Sequence, residues 1–218
     1  MGINVKTGPM VASYAYVWKA RKNKQGKLKF SCCCLFSKAN KDDIIMYNKA
    51  IKAAFDEGVA KGMFPATMWE VVKKPLRDGD AEVKTGIKKP GIGYEGCMFL
   101  NANSDGDPMS EYYSPPEITK PLNGKVVAIT DQSEFYSGCE CRAALSFYPF
   151  KTPESRGIAV GLNALFKTGD GTRLDGRESA ESAFSDFAAE TGNLDSDKAD
   201  MTVEDDPVKT NSAKDPFG

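Results

Sequence analysis

The chain has no histidine among its 218 residues. That absence removes the commonest general base and the partner on which Ser-His and Cys-His hydrolases depend. No apolar stretch approaches the roughly 20 residues of a membrane span. The opening "MGINVKTGPM" carries no apolar signal segment and has Lys6 where a myristoylation motif needs Ser or Thr. A soluble protein of the cytoplasm, with no membrane partner, is expected. No P-loop and no G-x-G-x-x-G occurs, which argues against a nucleotide-driven motor. Paired C-x2-C spacings are also missing. Cys32, Cys33 and Cys34 are consecutive, and only Glu140 separates Cys139 from Cys141. Such spacing fits neither a zinc knuckle nor a disulfide framework, so the thiols are expected reduced and buried, and no cofactor or metal is called for.

Acidic loops fail a similar test. In "NANSDGD" the residues Asn101, Asn103, Asp105 and Gly106 stand at the first, third, fifth and sixth places of a calcium loop, but Tyr112 occupies the twelfth, where a bidentate Glu is required. The Asp-Gly pairs elsewhere read as turns.

What the chain does have is a divided charge. Residues 1–177 hold 26 of the 29 Lys and Arg against 19 of the 30 Asp and Glu, a net +7, whereas residues 178–218 carry a net −8. A basic body with an acidic tail points to an anionic partner for the body and to an interaction or competitor role for the tail. The basic side chains are densest near the start: residues 1–61 hold 12 against 4 acidic ones.

Two alternating runs, Val11 to Ala20 and "KLKFSCCCLF", flank the polar turn "RKNKQGK" and predict a long hairpin. Alternation places Tyr14, Tyr16 and Trp18 on one face of the first strand, and Leu28, Phe30, Cys32, Cys34 and Phe36 on one face of the second. "DDIIMYNKAIKAAFDEGVAKG" is the clearest helix, with apolar residues at three- and four-residue steps, acids at its start and Gly62 as its stop. A Gly/Pro-rich stretch follows, with one strand expected near Met68 to Val72. "YEGCMFLNANS", "KVVAI", "GCECRAALSFYPF" and "GIAVGLNALFK" are further strands, with "DGDPMSEYYSPPEITKP" a long loop between the first two. Ala180, Ala183, Phe184, Phe187 and Ala188 lie at helical steps and predict a short terminal helix. About seven strands, mostly antiparallel, with two helices make a mainly β fold with added helices (α+β). The expected architecture is an OB-like curled antiparallel barrel with one long inserted helix. Residues 1–189 would form this domain and residues 190–218 a disordered, flexible acidic tail.

Aromatic side chains interleaved with Lys and Arg suit single-stranded nucleic acid, because rings stack on any base while cations neutralise phosphates. The stacking candidates are Tyr14, Tyr16 and Trp18, then Phe99, Tyr136, Phe147 and Tyr148. The phosphate candidates are Lys19, Arg21, Lys27, Lys29, Arg142 and Lys167. Two other readings stay open: a divalent-metal nuclease using Asp78, Asp80, Asp105 or Asp170, and a structural protein that contacts nucleic acid incidentally.

Six segments in order carry a resemblance: "SYAYVW", "KFSCCCLFSK", "PLRDGD", "GYEGCMFLNANS", "ITDQSEFYSGCECRAALSFYPF" and "RGIAVGLNALFKTGDGTRLDGRESAESAF". From about residue 8 to 187 the chain resembles the tailed-phage single-stranded DNA-binding proteins. The resemblance implies an OB-type barrel and a non-enzymatic protein that coats single strands during phage DNA replication and recombination, with duplex DNA or RNA bound more weakly. The ending also resembles the acidic tails of replication strand binders, which dock on polymerases, helicases, primases or exonucleases. Here Asp205, Asp206, Asp215, Pro216 and Phe217 would make that contact, with Gly218 displacing Phe217 from the carboxylate.

Overall fold

The computed structural model describes residues 2–91 and 93–174. The terminal helix expected near Ala180 to Ala188 and the tail residues Asp205, Asp206, Asp215, Pro216 and Phe217 lie outside the described residues.

The chain opens with a short strand, β1 (Ile3–Lys6), and runs into the predicted hairpin, β2 (Met10–Lys22) and β3 (Leu28–Ser37). Helix α1 (Lys41–Ala60) follows, then a 3-10 turn (Ala66–Glu70), the short strand β4 (Arg77–Asp78) and helix α2 (Gly79–Lys84). The remaining strands are β5 (Cys97–Asp105), β6 (Glu117–Leu122), β7 (Lys125–Ala128), β8 (Glu140–Lys151) and β9 (Arg156–Gly169), with a 3-10 turn at Gln132–Glu134. Mainly β sheet with few helices is what the alternating sequence predicts.

The nine strands among the described residues belong to one sheet, and five of them close a ring: β2 pairs β3, β3 pairs β5, β5 pairs β9, β9 pairs β8, and β8 returns to β2. The β5–β9 and β6–β9 pairings are parallel, so β9 has a parallel partner in two places where antiparallel neighbours are expected from loop length. Two other readings need correction, and one strand is additional. The strand expected near Met68 to Val72 is a 3-10 turn. Part of the long loop before residue 122 is the strand β6, joined to β7 through Asn123 and Gly124, both at positive φ, as a two-residue hairpin turn demands. And β1, too short to show a period, adds an edge strand to β8.

Inward-facing residues of the ring make one core. Met10, Ala12 and Val17 of β2 meet Cys32, Cys34 and Phe36 of β3, Leu100 and Ala102 of β5, Cys141, Ala143, Leu145 and Phe147 of β8, and Ile158, Val160 and Leu162 of β9. Helix α1 packs Tyr47, Ile51, Ala54 and Phe55 into the same cluster, with the Tyr47 ring stacked on Phe147 at 6.4 Å and tilted against Phe36 at 4.7 Å. Asp42 and Asp43 stand in its first turn, where the helix dipole favours negative charge. Removing a side chain such as Phe147 from water contributes about 1.5–3 kcal/mol. On the other side of β3 a smaller cluster forms from Cys33, Leu35, Tyr94 and Phe99. The α2 segment therefore covers part of the outer face of β3 and β5.

Candidate nucleic-acid interface

The functional candidates gather on β2 beyond Ser13. Up to that residue, β2 is knitted to both neighbours: Val11 faces Leu35 on β3 and Glu140 on β8. Past it the register slips. From Ser13 to Tyr16 β2 takes three steps while β3 takes two, and from Tyr16 to Arg21 it takes five against two. Extra residues of this kind bend a strand and re-aim its side chains. Tyr14 marks the first slip with φ of 45°, a left-handed conformation that a bulky residue rarely adopts. The result is an arm, the far half of β2 with the near half of β3, in which β2 keeps only β3 as its ladder partner while β3 stays paired with β5.

On the arm's outer face Tyr14 is 48% exposed and meets the edge of Tyr16, with ring centroids 6.4 Å apart. The Arg21 guanidinium lies 3.9 Å over the Tyr16 ring. At the other end of the pair the Lys88 ammonium stands 5.6 Å from the Tyr14 ring, 4.4 Å from Tyr94 and 5.4 Å from Phe99. Its Nζ donates to the Tyr94 hydroxyl at 3.0 Å. A cation thus sits at each end of two adjoining rings, an arrangement in which each contact contributes about 0.5–2 kcal/mol. Lys88 was not among the sequence candidates, because it sits in a Gly/Pro-rich segment with no period to betray its direction. The floor beside Tyr16 is small and polar: Tyr16 faces Ser31, Ser31 faces Asn103, and Asn103 faces Gly161 across the parallel pairing. Gly161 is buried, and a Cβ there would lie 3.5 Å from the Tyr148 ring and only 2.4 Å from the Ser146 hydroxyl, so the position has no room for a side chain.

Lys19, Lys22, Lys24 and Lys27 are exposed on the arm and have no carboxylate partner among the described residues. Lys29 does: its Nζ reaches Asp105 at 3.1 Å. Arg142 is exposed on β8 and donates to the Thr7 carbonyl.

Several candidates go elsewhere. Phe99 and Phe147 are fully buried and serve as core, not as stacking platforms. Trp18 does not join Tyr14 and Tyr16. Its indole Nε1 donates to the Phe135 carbonyl at 2.9 Å, and the ring packs against the main core. Tyr136 has both its hydroxyl and its face engaged, the first by Asp170 and the Gly171 carbonyl, the second by Arg173 at 3.9 Å. Lys167 is spent internally on the Glu134 carbonyl at 2.5 Å and Asp170 at 2.7 Å. Tyr148 remains 37% exposed on β8.

Each aspartate of the nuclease reading is matched by a lysine. Lys38 bridges Asp78 at 2.5 Å and Asp80 at 2.7 Å, and its hydrogen bonds hold both carboxyls below their ordinary range. Asp105 is lowered by the Asp107 amide and then by Lys29, and Asp170 by Lys167. Among the described residues no group of three or more Cys, Asp or Glu is placed to hold a metal ion. Burial pushes the Cys33 thiol up to about 11 and raises Cys139 as well, so both stay protonated near neutral pH. No helix among the described residues is long and apolar enough to cross a membrane.

The family described as "Enterobacter phage Enc34, ssDNA-binding protein" matches residues 3–195. Solved structures of similar fold include the single-stranded DNA-binding protein from bacteriophage Enc34 in complex with ssDNA, 18% identical, covering 78% of this chain and 88% of that one, with a TM-score of 0.51. Gp2.5, a single-stranded DNA-binding protein encoded by bacteriophage T7, is 13% identical, covers 81% of this chain and 97% of that one, and has a TM-score of 0.53. At these identities the likeness is one of fold. No curated protein sequence matches the chain.

Proposed function

The chain belongs to the phage single-stranded DNA-binding protein family of Enterobacter phage Enc34, and from that membership we propose how it holds a strand. The observation that carries the reading is the exposed Tyr14 ring, set edge-on against the half-buried Tyr16, with Arg21 over Tyr16 and Lys88 beside Tyr14. A base stacks on the exposed Tyr14 ring, contributing about 1–3 kcal/mol, and the arm lysines neutralise phosphates. Every base offers a flat face, so sequence preference is weak.

The closed ring in the order β2-β3-β5-β9-β8, with β5 and β9 parallel, supports an OB-type barrel in which β3 and β5 form the ligand-facing strands. The strand would cross the row Tyr16, Ser31, Asn103 and Gly161, with Tyr148, Lys19, Lys27 and Arg142 as outlying contacts. The protein acts by binding and not by cutting, in the host cytoplasm, and takes duplex DNA or RNA more weakly. Residues 190–218, beyond a domain of residues 1–189, are the part that meets replication enzymes. Their negative charge also competes with DNA for the basic body.

Fluorescence anisotropy of a labelled oligothymidine, read at low and moderate salt, tests the reading. We expect binding whose log-log salt slope is about −0.7 per phosphate contacted, tighter binding without residues 190–218, and strands left intact by magnesium or manganese. Absence of binding at low salt overturns it, and unchanged affinity after removal of the tail overturns the competition.

A further inference from the structure

A second aromatic surface lies on the arm, away from Tyr14 and Tyr16. Val17 and Trp18 of β2, Phe30 of β3, and Ile118 and Ile129 of the β6–β7 region enclose an open groove of about 570 Å³. That size falls within the range of small-ligand sites. Tyr113, Pro115 and Pro116 close it from the loop after β5. The loop is held in place by a parallel bridge between Asp105 and Tyr113 and by the Ser114 amide, which donates to the Asp105 carbonyl at 3.0 Å. Tyr113 is 45% exposed, and its ring is tilted toward Phe30 at 6.1 Å.

We propose that this groove receives one unstacked base of the bound strand, an inference that rests on the single-strand reading above. Three features select a base over other occupants. The walls are rings, prolines and aliphatic side chains, with Thr119 and Glu117 the polar exceptions, and so offer mainly apolar surface and few hydrogen-bond donors. The Trp18 N–H is already satisfied by Phe135, which leaves the indole only its face and edges to present. The charges around the groove are divided: Glu117 stands exposed among its lining residues and repels phosphate, while Lys19 and Lys27, free of carboxylate partners among the described residues, stand on the same arm and attract it. A neutral base can enter where Glu117 disfavours a phosphate. The arm would then be gripped on two surfaces, with a stacked base outside and another tucked beside Trp18.

The test uses the full chain carrying Trp69→Phe, which leaves Trp18 as the sole tryptophan; Trp69 packs on Phe55, apart from the groove. Labelled oligothymidine and an abasic backbone of equal length are titrated, with anisotropy reading binding and Trp18 emission reading the groove. Oligothymidine is expected to change the emission and the abasic strand to bind without changing it. Tyr113→Ala is expected to weaken oligothymidine roughly tenfold and leave the abasic strand unaffected. Normal anisotropy with silent Trp18 and a neutral Tyr113→Ala overturns the inference and assigns the groove to a protein partner. Equal emission changes from both strands also overturn it. No anisotropy change with oligothymidine sinks the single-strand reading itself. Photocrosslinking of the unaltered chain with 5-iodouracil gives an independent check: adducts on the peptides of Trp18 or Tyr113 support the groove, and adducts confined to Tyr14 and Tyr16 refute it.

Discussion

The two halves of β2 obey the same alternating pattern and do different work. Before Tyr14, each residue is fixed on both sides: Ala12 accepts from the Gly138 amide and donates to the Cys139 carbonyl, and Met10 and Ala12 are buried. After it, the strand keeps β3 as its ladder partner and turns Lys19, Arg21 and Lys22 outward, with Tyr16 half-buried. Alternation alone does not separate a strand built into the core from one that turns charged side chains outward. The separation comes from the slip at Tyr14, where the backbone takes a strained angle and the pattern changes its frame. Strain of about 1–3 kcal/mol, as such an angle costs, persists only where surrounding structure enforces it. Here the enforcing contacts are the Ala15 amide donating to the Ser137 hydroxyl and the Trp18 anchor to Phe135.

Substitutions that respect this division should separate stability from affinity. The largest effect is expected for Phe147→Ala, which removes a fully buried ring: a loss of about 3–5 kcal/mol in chemical denaturation, with DNA affinity of the remaining folded protein unchanged. A large affinity defect without destabilisation would show that Phe147 faces the strand after all. Next come Tyr14→Ala and Tyr14→Gly. Both should weaken oligothymidine binding by about 1–3 kcal/mol, yet only the glycine accepts a φ of 45° without strain, so it should melt at the higher temperature of the two. Equal melting points would mean that the slip carries no strain.

Smaller in size, and sharper in contrast, are Arg21→Ala and Lys167→Met. The first should reduce the salt slope by about 0.7 and leave the melting temperature nearly unaltered. The second should keep the slope and lower stability by about 1 kcal/mol, since it removes one of the partners of the Glu134 carbonyl and of Asp170. Smallest is the acid response of the Lys38 bridge. Asp78 and Asp80 have depressed folded-state values, so their contribution is complete above the ordinary carboxylate value of 3.8 and is lost as pH falls through the depressed one. Lys38→Met should therefore flatten the fall in melting temperature below about pH 4, by a small amount because the bridge is exposed. An unchanged acid limb would show that the bridge is idle in solution.

How much of this was legible in the sequence follows from how local each signal is. Helix α1 and the β2–β3 hairpin announce themselves by period, and the buried face Phe30, Cys32, Cys34 and Phe36 is the one alternation picks. The tyrosine pair and its Arg21 neighbour were readable for the same reason. Alternation groups Trp18 with them because it assumes an unbroken frame, and the extra residues in β2 break it. Phe99 and Phe147 went astray because a ring strand has two faces and composition does not name the inner one. The β6–β7 hairpin could have been found from its Asn123-Gly124 turn. No local signal marks Lys88, whose neighbours Tyr14, Tyr94 and Phe99 come from three separate stretches of chain.

The parallel pairing of β5 with β9 bears on the order of events as the chain folds. The ring cannot close through its first three strands alone, because β9, the last of the five in sequence, bonds β5 on one side and β8 on the other. Contacts joining residues as far apart as Asn103 and Gly161 must wait for much loop entropy to be surrendered, which slows folding. During synthesis the cationic hairpin is therefore made early but seated late, and a ribosome-bound fragment ending before Arg156 has an arm with no closed barrel behind it. Competence to hold a strand then arrives as a single late step, when β9 zips into place.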